Sequence, residues 1–312
     1  MEPVAITETT GDALDVPFTL RANDIVRHIV SVDSRFRQNP LTSTSSDFYY
    51  RLLTPVRNIL RIRITSIEFP NNYLFFTAAR KNVTIRILYN TATPTAYVLT
   101  IPNGNYTACE MADTLNSILT GAGLSWLTVV FNVINGAFVF TGTQYFAIDV
   151  SPPPGSPGAE LYIHRPFDYG LGYYLGFSRK TQVSVMDTSG TWMLTSDQCA
   201  SFTGDNYVFL KINEFDCVSH QATEQTFTAL AKIVLRDPKN YMAFDDYASQ
   251  HAKEVTFPVP QDLTRLHIQV LDAYGNVIDL CSSQISFSIE VLEVRNLTLY
   301  NTIRDSIAVR YV

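Results

Sequence analysis

The sequence predicts an all-β protein: a jelly-roll β-sandwich with one short amphipathic helix, at about residues 107–120, and an extended N-terminal arm. Three observations lead there. Apolar residues alternate with period two over most of the chain, the mark of strands with one face in a core. Turn formers such as Asn135-Gly136 and Tyr274-Gly275-Asn276 recur between the alternating runs, at the spacing of a sandwich built from short strands. Only 17% of the 312 residues are charged while 12% are aromatic, which suits a chain that buries much of its surface.

Residues 1–27 carry Glu2, Glu8, Asp12, Asp15 and Asp24 with little periodicity and read as an arm. A single jelly-roll-type domain is expected over 28–295, followed by a tail over 296–312. In "SVDSRFRQNPLTSTSSDFYYRL" (31–52), Asn39-Pro40 marks a turn, the hydroxyl run extends it, and Phe48, Tyr50 and Leu52 begin the first core strand. Leu60, Ile62 and Ile64 continue the alternation, but Ile67 and Phe69 have the opposite parity, which predicts a bulge near Thr65-Ser66. "NVTIRILY" and "AYVLTI" make a hairpin turning around Pro94. "LTVVFNVINGAFVFTG" makes another, with Asn135-Gly136 suited to a two-residue type I′ turn.

One segment has helical spacing. Ala108, Met111, Ala112, Leu115, Ile118 and Leu119 form an apolar stripe, Thr107 and Glu110 a capping box, and Gly121 is placed to end the helix. "SPPPGSPG" (151–158) excludes helix and sheet interior, because proline lacks the backbone donor, and reads as a long loop within one domain. The later strands are "NYVFLKINEF", "FTALAKIVL", "RLHIQVLDAYGNVIDL" and "QISFSIEVLEV".

Chemistry is sparse. Cys109, Cys199, Cys217 and Cys281 are scattered, which argues against a zinc site or disulfide framework and for four reduced, mostly buried thiols. The five histidines have no metal-ligand spacing, and no nucleotide-binding or nucleophile motif is present, so neither metal nor cofactor is expected. The start of the chain has no secretory pattern and no apolar run spans a bilayer, so a soluble protein of a reducing compartment is expected; the three Asn-x-Ser/Thr sequons are then incidental. The net charge of −6 argues against a general nucleic-acid surface. The best titratable cluster is Asp245, Asp246, His251 and Glu254, an acid–base or metal candidate set against a solvated loop. Ser34 beside Asp33 has no partnered histidine nearby.

Arg51, Arg57, Arg61 and Arg63 share parity and could pair with a neighbour's carboxylates, such as an acidic arm. "YGLGYYLGF" interleaves Tyr169, Tyr173, Tyr174 and Phe177 with glycines, which fits an interface or, alternatively, a carbohydrate-stacking surface. The candidate protein-interface residues are therefore Arg35, Arg37, Arg61, Arg63, Tyr169, Tyr173, Tyr174 and Phe177, with no catalytic, cofactor or metal residue assigned.

"HIVSVDSRFRQNP" followed by "SSDFYYRLLTPVRNILRIRITSIEFPN" resembles the opening of minor structural proteins of nucleocytoplasmic large icosahedral DNA viruses. "IPNGNYTACEMADTLNSIL", "LGYYLGF", "YVFLKINEF" and "DAYGNVIDLCSSQISFSIEVLEV" resemble the same family in the same order, over roughly residues 28–295. The resemblance implies a non-enzymatic, cofactor-free component of the capsid shell, assembled in the host cytoplasm. It would be a minor capsid protein lying beneath and between major capsid capsomers, or the vertex penton. Its implied partners are the major capsid protein and other minor capsid proteins, with self-association if it sits at a vertex. Specific nucleic-acid binding is not implied; peripheral contact with an inner virion membrane is left open.

Overall fold

The computed structural model describes residues 24–89, 95–156, 158–163, 165, 168–213, 215, 216, 218–221, 226–235, 242–245 and 254–308. In chain order the strands are β1 (Ile25–Asp33), β2 (Asp47–Pro70), β3 (Thr84–Tyr89), β4 (Thr95–Thr100), β5 (Leu127–Asn132), β6 (Ala137–Gly142), β7 (Phe146–Asp149), β8 (Thr181–Val183), β9 (Val185–Met186), β10 (Trp192–Thr195), β11 (Tyr207–Ile212), β12 (Val218–Gln221), β13 (Thr226–Ala229), β14 (Ala231–Val234), β15 (Met242–Asp245), β16 (Glu254–Leu271) and β17 (Ser286–Val294). Among the described residues α1 (Ala108–Gly121) and α2 (Leu171–Tyr174) fall between strands, and α3 (Leu297–Ala308) follows β17. Every strand pairing among the described residues is antiparallel, so the all-β class stands as the sequence predicts.

The contacts divide the chain into two units, 1–73 with 207–312 and 74–206. The sequence predicts one domain over 28–295 with the Pro-rich loop inside it. That loop lies inside the second unit, and the division falls at Tyr73/Leu74 and Asn206/Tyr207.

In the first unit the sheet order is β1-β17-β2-β16-β11-β14, with β15 also on β2. β2 is too long to stay flat. Its first half, Asp47–Val56, pairs with the second half of β16, and Ile59–Arg63 pairs with the first half of β16 on one edge while Ile59–Glu68 pairs with β17 on the other. Between the halves Asn58 takes φ +51 and donates its N–H to the Asp262 carboxylate at 3.0 Å. A single core then takes Phe48, Leu52 and Val56 from one half, Ile59, Ile62, Ile64, Ile67 and Phe69 from the other, and Leu266, Ile268, Phe287, Ile289 and Val291 from their partners. One buried apolar side chain of this size contributes roughly 1.5–3 kcal/mol. The predicted bulge is present: Ser288 faces Ser66 and Ile289 faces Ile64, so Thr65 is the extra residue. Asp272 closes the Tyr274-Gly275-Asn276 turn by accepting from the Tyr274 and Asn276 N–H groups, with Gly275 at φ +84.

Two expectations at the ends of the chain are corrected. Ile25–Arg27 belong to β1, which pairs with β17 along its whole length, so the first strand opens well before Phe48. The tail holds α3, whose Tyr300 packs with Leu60, Val294 and Ile25. Periodicity hid β1 because its apolar residues fall on both parities, Ile25 and Ile29 against Val26, Val30 and Val32. Residues 1–23 lie outside the described residues.

The second unit holds two four-stranded sheets, β5-β6-β10-β9 and β4-β3-β7-β8. The β3/β4 hairpin is as predicted; its turn lies outside the described residues. The β5/β6 hairpin is also present, but Asn132 pairs with Ala137 across a four-residue loop, and only Gly136 has positive φ. The Gly136 N–H reaches the Asn132 carbonyl at 2.9 Å, which replaces the expected two-residue type I′ turn. α1 is capped as predicted, Thr107 accepting from the Glu110 N–H and Glu110 from the Thr107 N–H. Its stop lies further on. Gly123 at φ +77 ends it, with Gly123 N–H to Thr120 O and Leu124 N–H to Leu119 O, a Schellman motif whose apolar pair, Leu119 and Leu124, is buried.

The Asn116 side chain of α1 then mimics a strand. Its Oδ1 accepts from the Val129 N–H and its Nδ2 donates to the Val129 carbonyl, both at 2.8 Å, which satisfies the open edge of β5. Cys109, Cys199 and Cys281 are exposed, contrary to the expectation of mostly buried thiols.

Candidate protein interface

The stretch that joins the first two strands is built from its own side chains. Asp33 ends β1 and caps a single 3-10 turn, Ser34–Phe36, by accepting from the Arg35 N–H at 2.9 Å. The Arg35 guanidinium folds back onto the same carboxylate and is still 68% exposed. It holds the Asp33 carboxyl below the usual carboxylate range. Beside it lies an open cleft of about 580 Å3 lined by Asp33, Arg35, Glu68, Asn72, Ser282 and Ser286. Arg37 points inward instead. Its Nη1 donates to the Ser34 carbonyl at 2.8 Å and to Gln284 Oε1 at 3.1 Å, and its Nη2 donates to the Pro40 carbonyl at 3.3 Å. Ser34, fully buried, gives its hydroxyl to Gln284 and accepts from the Ile285 N–H. Of the two arginines, only Arg35 is presented outward; Arg37 pins the β1–β2 connection to the segment entering β17.

Arg61 and Arg63 have their carboxylate inside the chain. Glu290, at the facing position on β17 and buried, accepts from Arg61 Nη2 at 3.3 Å and Arg63 Nη2 at 3.4 Å, and Glu254 lies 3.7 Å from Arg61 Nη1. The expectation that a neighbour's acids meet them gives way to this in-chain cluster. Glu254 is thus drawn into an ion pair; Asp246 and His251 lie outside the described residues, as does the side chain of Asp245. Arg51 and Arg57 remain exposed with no carboxylate partner among the described residues.

The aromatic run is core, not surface. Tyr169, Tyr174 and Phe177 are buried and Tyr173 is partly buried, in one cluster with Phe75, Phe76, Phe138 and Phe140. Tyr174 donates to the Asp168 carboxylate at 3.0 Å. Burial, with Asp197 nearby, pushes the Tyr169 hydroxyl up to about 12. The glycines serve packing: a Cβ on Gly172 would overlap the Val150 side chain, and one on Gly176, at φ +86, would overlap the Gln198 carbonyl. A ring buried in its own unit cannot stack on a sugar, so the carbohydrate reading loses its residues.

The surface that sequence reasoning missed is the outer face of β5-β6-β10-β9. Facing rows place Thr128 beside Thr141, Met193 and Val185, and Val130 beside Val139 and Thr195. None of these seven residues is charged. Val130 is 61% exposed, and the hairpin tip beyond it carries Val133 and Ile134, the latter 98% exposed. The signal was in the sequence as the second parity of "LTVVFNVI", but period two does not say which parity faces a core and which faces water.

This is an all-β protein of antiparallel sheets. No family model matches the chain, and no curated protein matches it in sequence. Among solved structures it is similar to the mavirus penton protein, at 10% identity and a TM-score of 0.43, over 86% of this chain and 98% of that one. It is also similar to the VP16–VP17 complex of the two major capsid proteins of bacteriophage P23-77, at 10% identity and a TM-score of 0.17, over 85% and 98%.

Proposed function

We propose that the chain is a structural component of the capsid of a large icosahedral DNA virus, a minor capsid protein that contacts major capsid capsomers and neighbouring minor proteins. The observation that carries this is the uncharged outer face of β5-β6-β10-β9 with its apolar hairpin tip. Contiguous exposed apolar surface is uncommon on a protein that works alone and typical of one that buries it on a neighbour, where depletion of charge marks the contact core. The resemblance of the "SVDSRFRQNP" block and the strands after it to minor structural proteins of such viruses supplies the identity of the neighbours. The jelly-roll description is supported by the long β2, both halves of which contribute to one core.

The role is non-catalytic, and its location is the virion shell. Site-specific photo-cross-linking in particles tests it: a photoreactive residue in place of Val130 or Val185 is expected to link to major or minor capsid proteins, because the face itself carries no lysine or carboxylate for residue-directed reagents. Absence of the chain from particles, or of any link to a capsid protein, refutes the reading. Density for the chain at a five-fold vertex in a particle reconstruction would make it a penton and overturn the minor-capsid placement.

A further inference from the structure

The first unit carries cations that nothing in the described structure neutralises. On the outer face of the first half of β2, Arg51 stands directly opposite Arg265 of β16, both exposed. Like charges placed opposite each other across a strand pair are unfavourable. The next row pairs Tyr49 with His267, stacked at 4.4 Å, and the Arg265 guanidinium lies 4.4 Å from the Tyr49 ring centre. Lys211 of β11 extends the strip beyond Gln269, and Arg57 continues it toward the bend. Arg51, Arg57, Arg265 and Lys211 have no carboxylate partner among the described residues; Asp47, on the same face, is taken by His267 and Gln269. Four cations thus line one face of a protein whose net charge is −6.

We propose that this strip is the docking surface for the chain's own acidic N-terminal segment, residues 1–23. Charge is complementary: the segment holds Glu2, Glu8, Asp12 and Asp15 against the single Arg21. Its point of attachment is suitable. β1 is antiparallel to β17 and β17 to β2, so β1 runs parallel to β2, and Ile25 faces Val294 next to the Glu293–Ile59 pair. The chain before Asp24 therefore leaves on the Arg57 side of the sheet. Eight residues lie between Asp15 and Asp24, a reach of roughly 30 Å when extended, which covers the roughly 10 Å across β17 to β2 and the roughly 20 Å from Arg57 to Arg51. Magnitude selects the chain's own segment over a free partner. Exposed ion pairs are individually weak, and a handful of them holds a tethered segment, at an effective concentration in the millimolar range, far better than a dissolved one.

This inference does not rest on the capsid reading. The test is carbodiimide cross-linking of the purified full-length chain at about 20 mM salt, with peptides identified from the monomer band. Links from Lys211 to Glu2, Glu8 or Asp12, whose longer tethers reach past Arg51, are expected. They should fall at least about fivefold at 0.5 M salt, where the screening length shrinks to a few ångström, and by a similar factor in Arg51→Glu with Arg265→Glu. A second variant, Asp12→Asn with Asp15→Asn, changes only the N-terminal segment and should lose the remaining Lys211 links to Glu2 and Glu8 in part. The proposal is overturned if Lys211 forms no such link, if the links are insensitive to salt and to both variants, or if they occur only in a dimer band. The last outcome would assign the strip to the segment of a second copy.

Discussion

Replacing Arg37 and Arg35 one at a time by Glu separates a residue built into the fold from one presented to solvent. Arg37 makes three hydrogen bonds through a charged guanidinium, to Ser34, Gln284 and Pro40, in a part-buried site. Each is worth about 0.5–1.5 kcal/mol net, so their sum, discounted for partial solvent access, gives a loss of about 2–3 kcal/mol for Arg37→Glu. Glu also places a carboxylate against two backbone carbonyls. For a unit of this size that loss corresponds to a fall in Tm of about 5–10 °C. Arg35 pairs with Asp33, two residues away, lies 5.9 Å from the neighbouring Phe36 ring centre, and is mostly exposed. Its reversal should move Tm by no more than about 1–2 °C, because exposed pairs are screened. Differential scanning calorimetry on the two single variants reads the difference. Equal Tm values for the two, or a larger loss from Arg35→Glu, would refute the assignment of Arg37 as the structural clamp.

The remaining predictions concern the second unit and pH. Gly172→Ala pushes a methyl into the buried Val150 side chain and should cost about 2–3 kcal/mol by urea titration, with an unchanged melt sinking the packing argument. Tyr162 is buried and its hydroxyl has no partner among the described residues, so Tyr162→Phe should be neutral or raise stability by about 1 kcal/mol; a loss of that size would mean the hydroxyl is satisfied after all. Burial raises the Asp197 carboxyl, but bonds from the Ser178 hydroxyl and N–H outweigh it and leave the group below its ordinary range. A depressed carboxyl stabilises the fold above its unfolded value, and that contribution fades as pH falls below about 4. Melts of Asp197→Asn against the parent should therefore differ at pH 7 and converge toward pH 2, and a difference that persists at pH 2 contradicts the sign.

Legibility varied from element to element for identifiable reasons. The Thr107/Glu110 cap and the Thr65 bulge were readable because each is decided within a few residues: one by side chains that satisfy nearby N–H groups, the other by a slip of parity in a buried strand. Arg61 and Arg63 were correctly placed on one face, yet their partner Glu290 lies 227 residues beyond Arg63, and no local pattern reports such a pairing. Tyr169, Tyr174 and Phe177 looked like a surface because glycines separate them. The glycines turned out to be the places where Val150 and the Gln198 carbonyl approach the backbone.

By itself the sequence determined what depends on neighbours along the chain: strand alternation, the one amphipathic helix, its cap, and the chain reversals at Gly136 and Gly275. Hydrogen-bond geometry and side-chain period act over a few residues, so they are written locally. Only the tertiary structure decided what depends on closure of the chain in space: that both halves of β2 enter one core, that Arg37 and Glu290 are bonded within the fold, and that Arg51 and Arg265 face each other with no carboxylate partner among the described residues. Burial and charge pairing are settled by which distant strands meet, and period two is the same whether a face meets a core, water or another protein.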